Sequence, residues 1–144
     1  MTLLDAYAVV ALVVDEPAAE EVEVLLRDGG CRVVTPNLAE AIDISQRVHN
    51  VPAAGVRAAI EPLLVAGVIS AAVPHVPEAW RAAELRLEHY DKKTCALSMA
   101  DCLLLAQAIR DDEEIATADP PLAQAARADG VGIIALPDTQ GRRP

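Results

Sequence analysis

The sequence is poor in aromatic residues, with no phenylalanine, one tryptophan and two tyrosines among its 144 residues. The 53% of residues that are hydrophobic are therefore mostly aliphatic. Such side chains suit helices that pack against a buried parallel sheet. A chain of this length makes one domain and buries roughly two thirds of the surface that its unfolded form would expose. The composition predicts a single domain with an aliphatic core.

Cysteine is also scarce, and its three positions, Cys31, Cys95 and Cys102, contain no C-x-x-C pair. An odd number without metal-ligand spacing argues against both a disulfide framework and a zinc site. The first residues lack the basic region of a signal peptide. The apolar run at residues 6–14 is far shorter than the ~20 residues that a membrane span needs. These absences predict a cytoplasmic protein without a membrane segment.

Basic residues are outnumbered: 12 Lys and Arg face 22 Asp and Glu, which gives a net charge of −10. Taken alone, this charge argues against a nucleic-acid-binding protein, which normally carries a basic surface. Bound divalent cations would reverse the field locally. The excess of acids therefore directs attention to a metal site.

Short apolar runs alternate with helical patterns along the chain. Strands are predicted at residues 2–4, 32–35, 69–73, 115–118 and 132–136, and helices at 6–14, 18–27, 37–49, 53–66, 77–90, 99–110 and 120–128. We expect the helix at 53–66 to break or kink at Pro62. The alternation predicts an α/β fold, a three-layer sandwich with a central parallel sheet of about five strands. This domain covers residues 1–137, and residues 138–144 are expected to form a flexible tail.

Four acidic residues fall at predicted strand ends or helix starts. Asp5 follows the first strand, Asp119 follows the fourth, and Glu40 and Asp101 lie in the first turns of two helices. In open α/β sheets, ligands bind beyond the carboxyl ends of the strands. If the first and fourth strands are neighbours, one cleft collects all four carboxylates.

Each of these acids also has a purely structural interpretation as a helix cap. Asp5 and Asp119 immediately precede helices, and Asp119 is followed by proline. The segments Asn37-x-x-Glu40 and Ser98-x-x-Asp101 both match a capping box. Grouping favours catalysis, because carboxylates ~5 Å apart repel by roughly 3 kcal/mol per pair at an effective dielectric of about 20. A hard cation such as Mg²⁺ or Mn²⁺ relieves that repulsion and supports phosphodiester hydrolysis.

Five segments of the chain resemble PIN-domain nucleases, and among them the VapC-type toxins of toxin–antitoxin pairs. They are residues 3–8 (LLDAYA), 15–17 (DEP), 37–40 (NLAE), 97–104 (LSMADCLL) and 117–119 (TAD). The resemblance implies a PIN-like fold and an Mg²⁺- or Mn²⁺-dependent endoribonuclease. It also implies an RNA substrate, a small antitoxin whose tail occupies the cleft, and a homodimer. Two positions depart from the family pattern: Tyr7 replaces a small residue, and Pro120 replaces a basic one.

The resemblance assigns site roles residue by residue. Asp5, Glu40, Asp101 and Asp119 correspond to the catalytic metal ligands, and Ser98 and Thr117 correspond to supporting hydroxyls.

Two other functions stay open at this point. One is a different Mg²⁺-dependent phosphoryl-transfer enzyme, although a haloacid-dehalogenase type would need an acid where Tyr7 stands. The other is a catalytically inactive PIN scaffold that acts by binding proteins. Outside the acids, Trp80 is predicted to anchor the core, and Arg81 to pair with Glu84 or Glu88 on a helix surface.

Overall fold

A five-stranded sheet, all of whose strands are parallel, divides the aliphatic core in the computed structural model, which describes residues 1–144. Its strands are β1 (Thr2–Leu4), β2 (Cys31–Val34), β3 (Ile69–Ala72), β4 (Glu114–Thr117) and β5 (Ile133–Ala135). They lie in the order β3-β2-β1-β4-β5. The predicted parallel sheet of about five strands is confirmed.

Seven helices cover the two faces of this sheet. They are α1 (Ala6–Val14), α2 (Ala19–Asp28), α3 (Thr35–Arg47), α4 (Ala53–Val65), α5 (Val76–His89), α6 (Met99–Asp111) and α7 (Pro120–Ala128). Neighbouring residues of a strand point to opposite faces. Leu4 accordingly packs with α1 to α4 in one core cluster, and Leu3 packs with α5 to α7 in the other. The predicted three-layer sandwich is confirmed.

The chain reverses its direction of travel across the sheet between β1 and β4. After β1 it moves outward through β2 to β3, and after β4 it moves outward the other way to β5. β1 and β4 are therefore neighbours, with Leu4 opposite Ala116. A crevice is expected at the carboxyl ends of strands where the order reverses. Asp5 and Asp119 follow these two strands directly or after one residue.

Two helices differ from their predicted form. α3 begins at Thr35, two residues earlier than expected, with Pro36 in its first turn, where proline is pre-organised for a helix. α4 continues through Pro62 to Val65 instead of breaking. Pro62 lies in the last turn, and the Ala66 N–H donates to its carbonyl at 2.9 Å. The other boundaries match the prediction or differ from it by one or two residues, as helix and strand ends commonly do.

The prediction that Trp80 anchors the core is wrong. Trp80 is 71% exposed, and α5 instead buries Ala82 and Leu85 against α6. The exposed side of α5 carries Val76, Trp80 and Leu87 at helical spacing. This helix thus has apolar residues on two faces, and only one of them is covered within the chain.

The last residues form a turn that contacts the domain. Asp138 accepts hydrogen bonds from the backbone N–H groups of Gln140 and Arg142, both at 2.8 Å. Arg143 pairs with Glu21 of α2 at 2.6 Å. None of the seven helices combines the length and apolarity that crossing a membrane requires.

Candidate active site

Asp5 is the most deeply buried acid at the carboxyl edge of the sheet, with 3% of its surface exposed. It caps α1, because its Oδ1 accepts the Ala8 N–H at 2.7 Å. Its Oδ2 accepts a hydrogen bond from the Thr117 hydroxyl. Burial raises the pKa of Asp5 to about 7; the two hydrogen bonds lower this pKa, and the charges of Asp101 and Asp119 raise it further. Asp5 thus caps a helix, and its surroundings destabilise the ionised form of its carboxyl group.

Thr117, the last residue of β4, links two of the acids. Its hydroxyl donates to Asp5 and accepts the Asp119 backbone N–H at 2.9 Å. Asp119 caps α7, with its Oδ2 accepting the Leu122 N–H at 3.1 Å. Burial, followed by repulsion from Asp101, raises the pKa of Asp119. Thr117, the predicted supporting hydroxyl, therefore contacts both Asp5 and Asp119.

Asp101 lies in the first turn of α6 and forms the predicted capping box with Ser98. The Ser98 N–H donates to Asp101 Oδ2 at 2.8 Å, and the Ser98 hydroxyl accepts the Asp101 N–H at 3.0 Å. Burial raises the pKa of Asp101, whereas the bonds to Ser98 and the charge of Arg86 lower it. One carboxylate oxygen is thus held by the backbone, and the orientation of the other follows.

Glu40 lies in the second turn of α3, and its side chain makes no hydrogen bond or ion pair within the chain. Burial, then the charges of Asp101 and Asp119, raise the pKa of this carboxyl. The predicted capping box between Asn37 and Glu40 is wrong, because Val34 is the N-cap of α3. Asn37 is instead fully buried inside the helix, and neither of its amide atoms has a hydrogen-bond partner.

The four predicted acids therefore come from four separate segments, and the charges of Asp101 and Asp119 raise the pKa values of both Asp5 and Glu40. No Lys, Arg or His forms a salt bridge with any of them. Uncompensated carboxylates repel in a partly buried site. Their oxygens are the donors that Mg²⁺ and Mn²⁺ prefer. The donor set fits such a cation, as the sequence predicts.

A tighter group of potential metal ligands lies elsewhere, at Glu88, His89 and Asp129, whose ligand atoms are all within 4.8 Å of one another. Arg81 neutralises it by pairing with Glu88 at 3.3 Å and with Asp129 at 3.1 Å. This group is an ion-pair network, and it confirms the predicted pairing of Arg81 on the helix surface. No three of the site acids are as close as this. Their wider spacing suits a cation that keeps several of its waters, as Mg²⁺ usually does.

A comparison with models of known protein families identifies the family of this chain. Residues 2–128 match the family model described as the PIN domain. The chain belongs to the PIN-domain family. The match includes all four acids and both supporting hydroxyls of the site. No protein with a curated description matches the chain.

Several solved structures share the fold of this PIN domain. VapC20 of Mycobacterium tuberculosis, a sarcin–ricin loop cleaving toxin, has a TM-score of 0.71 at 14% identity over 87% of this chain and 95% of its own. VapBC2 of Rickettsia felis, bound to a promoter DNA fragment, has a TM-score of 0.67 at 15% identity over 92% and 96%. FitAcB of Neisseria gonorrhoeae has a TM-score of 0.63 at 22% identity over 93% and 96%. At these identities the likeness establishes the shared fold.

Proposed function

We propose that this PIN domain is a metal-dependent endoribonuclease that hydrolyses RNA phosphodiester bonds. The observation that carries the proposal is the group of four carboxylates at the β1/β4 crevice, none of which has a cationic partner. An acidic group of this kind raises the free energy of the folded protein unless a cation binds. A group of carboxylates that destabilises the folded protein, placed at the ligand-binding edge of the sheet, points to a catalytic use.

Asp5, Glu40, Asp101 and Asp119 would hold Mg²⁺ or Mn²⁺. The bound cation would lower the pKa of a water molecule and neutralise charge on the phosphate. Thr117 keeps Asp5 and Asp119 in fixed relative positions through its one hydroxyl. The Ser98 backbone N–H holds the Asp101 carboxylate. Because these contacts involve backbone and short side chains, the carboxylates are oriented before a ligand arrives.

The direct test is a cleavage assay with the purified chain, a mixed RNA pool and either Mg²⁺, Mn²⁺ or a chelator. We expect discrete cleavage products with either metal and none with the chelator. Zn²⁺ is not expected to activate, because the donor set consists of oxygens alone. Because the net charge of −10 weakens general attraction to RNA, products should be few and site-specific. Intact RNA in both metals, from a protein that binds Mn²⁺, would contradict the proposal.

Asp119→Asn separates capping from metal binding, since Asn caps a helix about as well as Asp. The variant keeps the hydrogen bond to the Leu122 N–H but loses a charge and a strong metal ligand. We expect cleavage to collapse. Without metal, the variant should be more stable than the wild type by about 1 to 2 kcal/mol after screening. Mg²⁺ should then stabilise the wild type more than the variant. Thermal melts with and without Mg²⁺ measure this, and wild-type cleavage by the variant would remove Asp119 from the site.

We further propose that the nuclease is the toxin of a toxin–antitoxin pair. The structures that share its fold include a toxin–antitoxin complex from Klebsiella pneumoniae and the VapC20 toxin. An apolar groove of about 520 Å³ between α3 and α4 offers a surface for an antitoxin segment. Leu38 and Ile42 of α3 line this groove, and because each is two residues from Glu40 they lie on a different side of the helix from that acid.

Expression of the chain by itself is expected to arrest bacterial growth, and co-expression of the small protein encoded beside it should restore growth. The Asp119→Asn variant is the matched control, because it keeps the groove and should not arrest growth. Normal growth at verified high expression of the folded wild type would contradict the toxin assignment.

Family likeness also leads us to propose a homodimer. The exposed apolar side of α5, with Val76, Trp80 and Leu87, is a surface that a second copy could cover. Light scattering is expected to give twice the 15.2 kDa mass of the chain. Trp80→Glu should shift that mass toward the monomer, because a charge at a buried interface position is costly.

A further inference from the structure

Asp101 is connected to Arg86 through a single peptide group. The carbonyl of Leu97 and the N–H of Ser98 belong to the same amide. Arg86 Nη1 donates to the Leu97 carbonyl at 2.9 Å. On the other side of the amide, the Ser98 N–H donates to Asp101 Oδ2 at 2.8 Å. Hydrogen bonds in such a chain polarise one another, so that the charge of Arg86 strengthens the bond to Asp101.

Arg86 is itself held in place from two directions. Its guanidinium carbon lies 4.6 Å from the centroid of the Tyr90 ring, one turn further along α5. Leu97, whose carbonyl it contacts, is 2% exposed and packs in the core cluster beneath α5 and α6. The guanidinium and the peptide therefore have little freedom to separate.

Most arginines of this acidic chain form salt bridges, but Arg86 and Arg127 form none. Arg81, one and a half turns earlier on the same helix, pairs with three carboxylates. The charge of Arg86 is instead directed at a carbonyl and a ring, and it lowers the pKa of Asp101. Among the four site acids, Asp101 is the one whose pKa a cation lowers, and that cation is Arg86.

We propose that Arg86 is a positioning residue of the active site, which orients Asp101 for metal binding through the Leu97–Ser98 peptide group. This role rests on the proposed metal-dependent function, but it is tested on metal binding apart from RNA cleavage. Groups that hydrogen-bond to a metal ligand without touching the metal typically contribute 10- to 100-fold to metal affinity, as their removal shows. Arg86 acts one step further from the metal, through the peptide group that contacts Asp101, so we expect an effect at the lower end of this range.

Calorimetry of Mn²⁺ binding to metal-free protein tests the role in wild type, Arg86→Met, Arg86→Lys and the control Arg81→Met. We expect Arg86→Met to weaken Mn²⁺ binding by about 10-fold. Arg86→Lys should recover part of the loss, because it keeps the charge without the planar fork. Arg81→Met should match the wild type in Mn²⁺ affinity even where its melting temperature falls. In RNA cleavage, Arg86→Met should lower kcat and leave KM unchanged.

Several results would overturn the role. Unchanged Mn²⁺ affinity in folded Arg86→Lys and Arg86→Met would reduce Arg86 to a packing residue. A raised KM with unchanged Mn²⁺ affinity would make it an RNA-phosphate contact instead. Weakened Mn²⁺ binding in Arg86→Met, from a wild type that cleaves no RNA, would support the positioning role and reject the nuclease proposal. A wild type that binds no Mn²⁺ would overturn both.

Discussion

Replacing Asp5 by Asn is expected to abolish cleavage and, at the same time, to make the metal-free protein more stable at pH 8. The carboxylate of Asp5 is 3% exposed, and burial raises its pKa to about 7 from an ordinary value of 3.8. A difference of that size corresponds to about 4 kcal/mol between the charged and neutral forms. Asn keeps an oxygen for the Ala8 N–H and an N–H for the Thr117 hydroxyl. We therefore expect a gain of about 2 to 4 kcal/mol in the free energy of unfolding.

Cleavage should fall by on the order of 10³ or more in this variant, because a metal supplies several kcal/mol of transition-state stabilisation. Asp28→Asn is the matched control, since Asp28 is exposed at the end of α2. It should keep full activity and change stability by less than about 0.5 kcal/mol. Urea unfolding at pH 8 in chelator, beside the RNA assay, measures both effects. An Asp5→Asn protein that is less stable and fully active would refute the assignment.

The metal-free wild type is expected to lose stability as the pH rises from about 4.5 to 7.5. A carboxyl whose folded-state pKa is raised binds a proton in the folded state at pH values where the unfolded chain has released it. The unfolding free energy then falls with rising pH. For Asp5 the window runs from its ordinary value of 3.8 to about 7, and burial raises the pKa values of Glu40, Asp101 and Asp119 in the same direction.

The expected decrease across this window is on the order of 3 kcal/mol, most of it from Asp5. Carboxyls with lowered pKa, such as Asp111 beside Arg110, are ionised in both states above pH 4.5 and leave the slope unchanged. Mg²⁺ should restore stability at pH 7.5 and have little effect at pH 5, where protons compete for the same oxygens. Unfolding curves at pH 5, 6, 7 and 8, with chelator and with Mg²⁺, check this. Asp5→Asn should show a flatter slope, and stability that rises with pH would contradict the prediction.

Helix bounds are predicted accurately where capping residues or proline restrict the backbone conformation. α1 and α7 match their predicted bounds, because Asp5 and Asp119 cap them, and Pro120 opens α7. The start of α3 is harder to predict. Asn37 is a residue type that commonly caps a helix, but in the structure Pro36 already lies in the first turn. Both positions are compatible with a helix start, and only the hydrogen bonds of the folded chain distinguish them.

The inward face of α5 shows the same ambiguity in packing. Val76, Trp80 and Leu87 follow one helical stripe, and Ala82 and Leu85 follow another. The larger apolar surface area of the stripe that contains Trp80 favours its burial. In the structure, the smaller stripe lies against the leucine-rich α6. A periodic pattern identifies a helix, but the neighbour in space determines which of two apolar faces is covered.

The sequence by itself determined the alternation of strands and helices, the parallel sheet, and the four acids that the family pattern shares. These are local or repeating features, and period, capping and residue type suffice to identify them. Only the tertiary structure decided that β1 and β4 are neighbours and that one Thr117 hydroxyl joins Asp5 to Asp119. It also decided that Arg86 reaches Asp101 through a peptide group. Each of these contacts joins residues from separate elements, and its geometry depends on how the helices pack on the sheet, which no local pattern specifies.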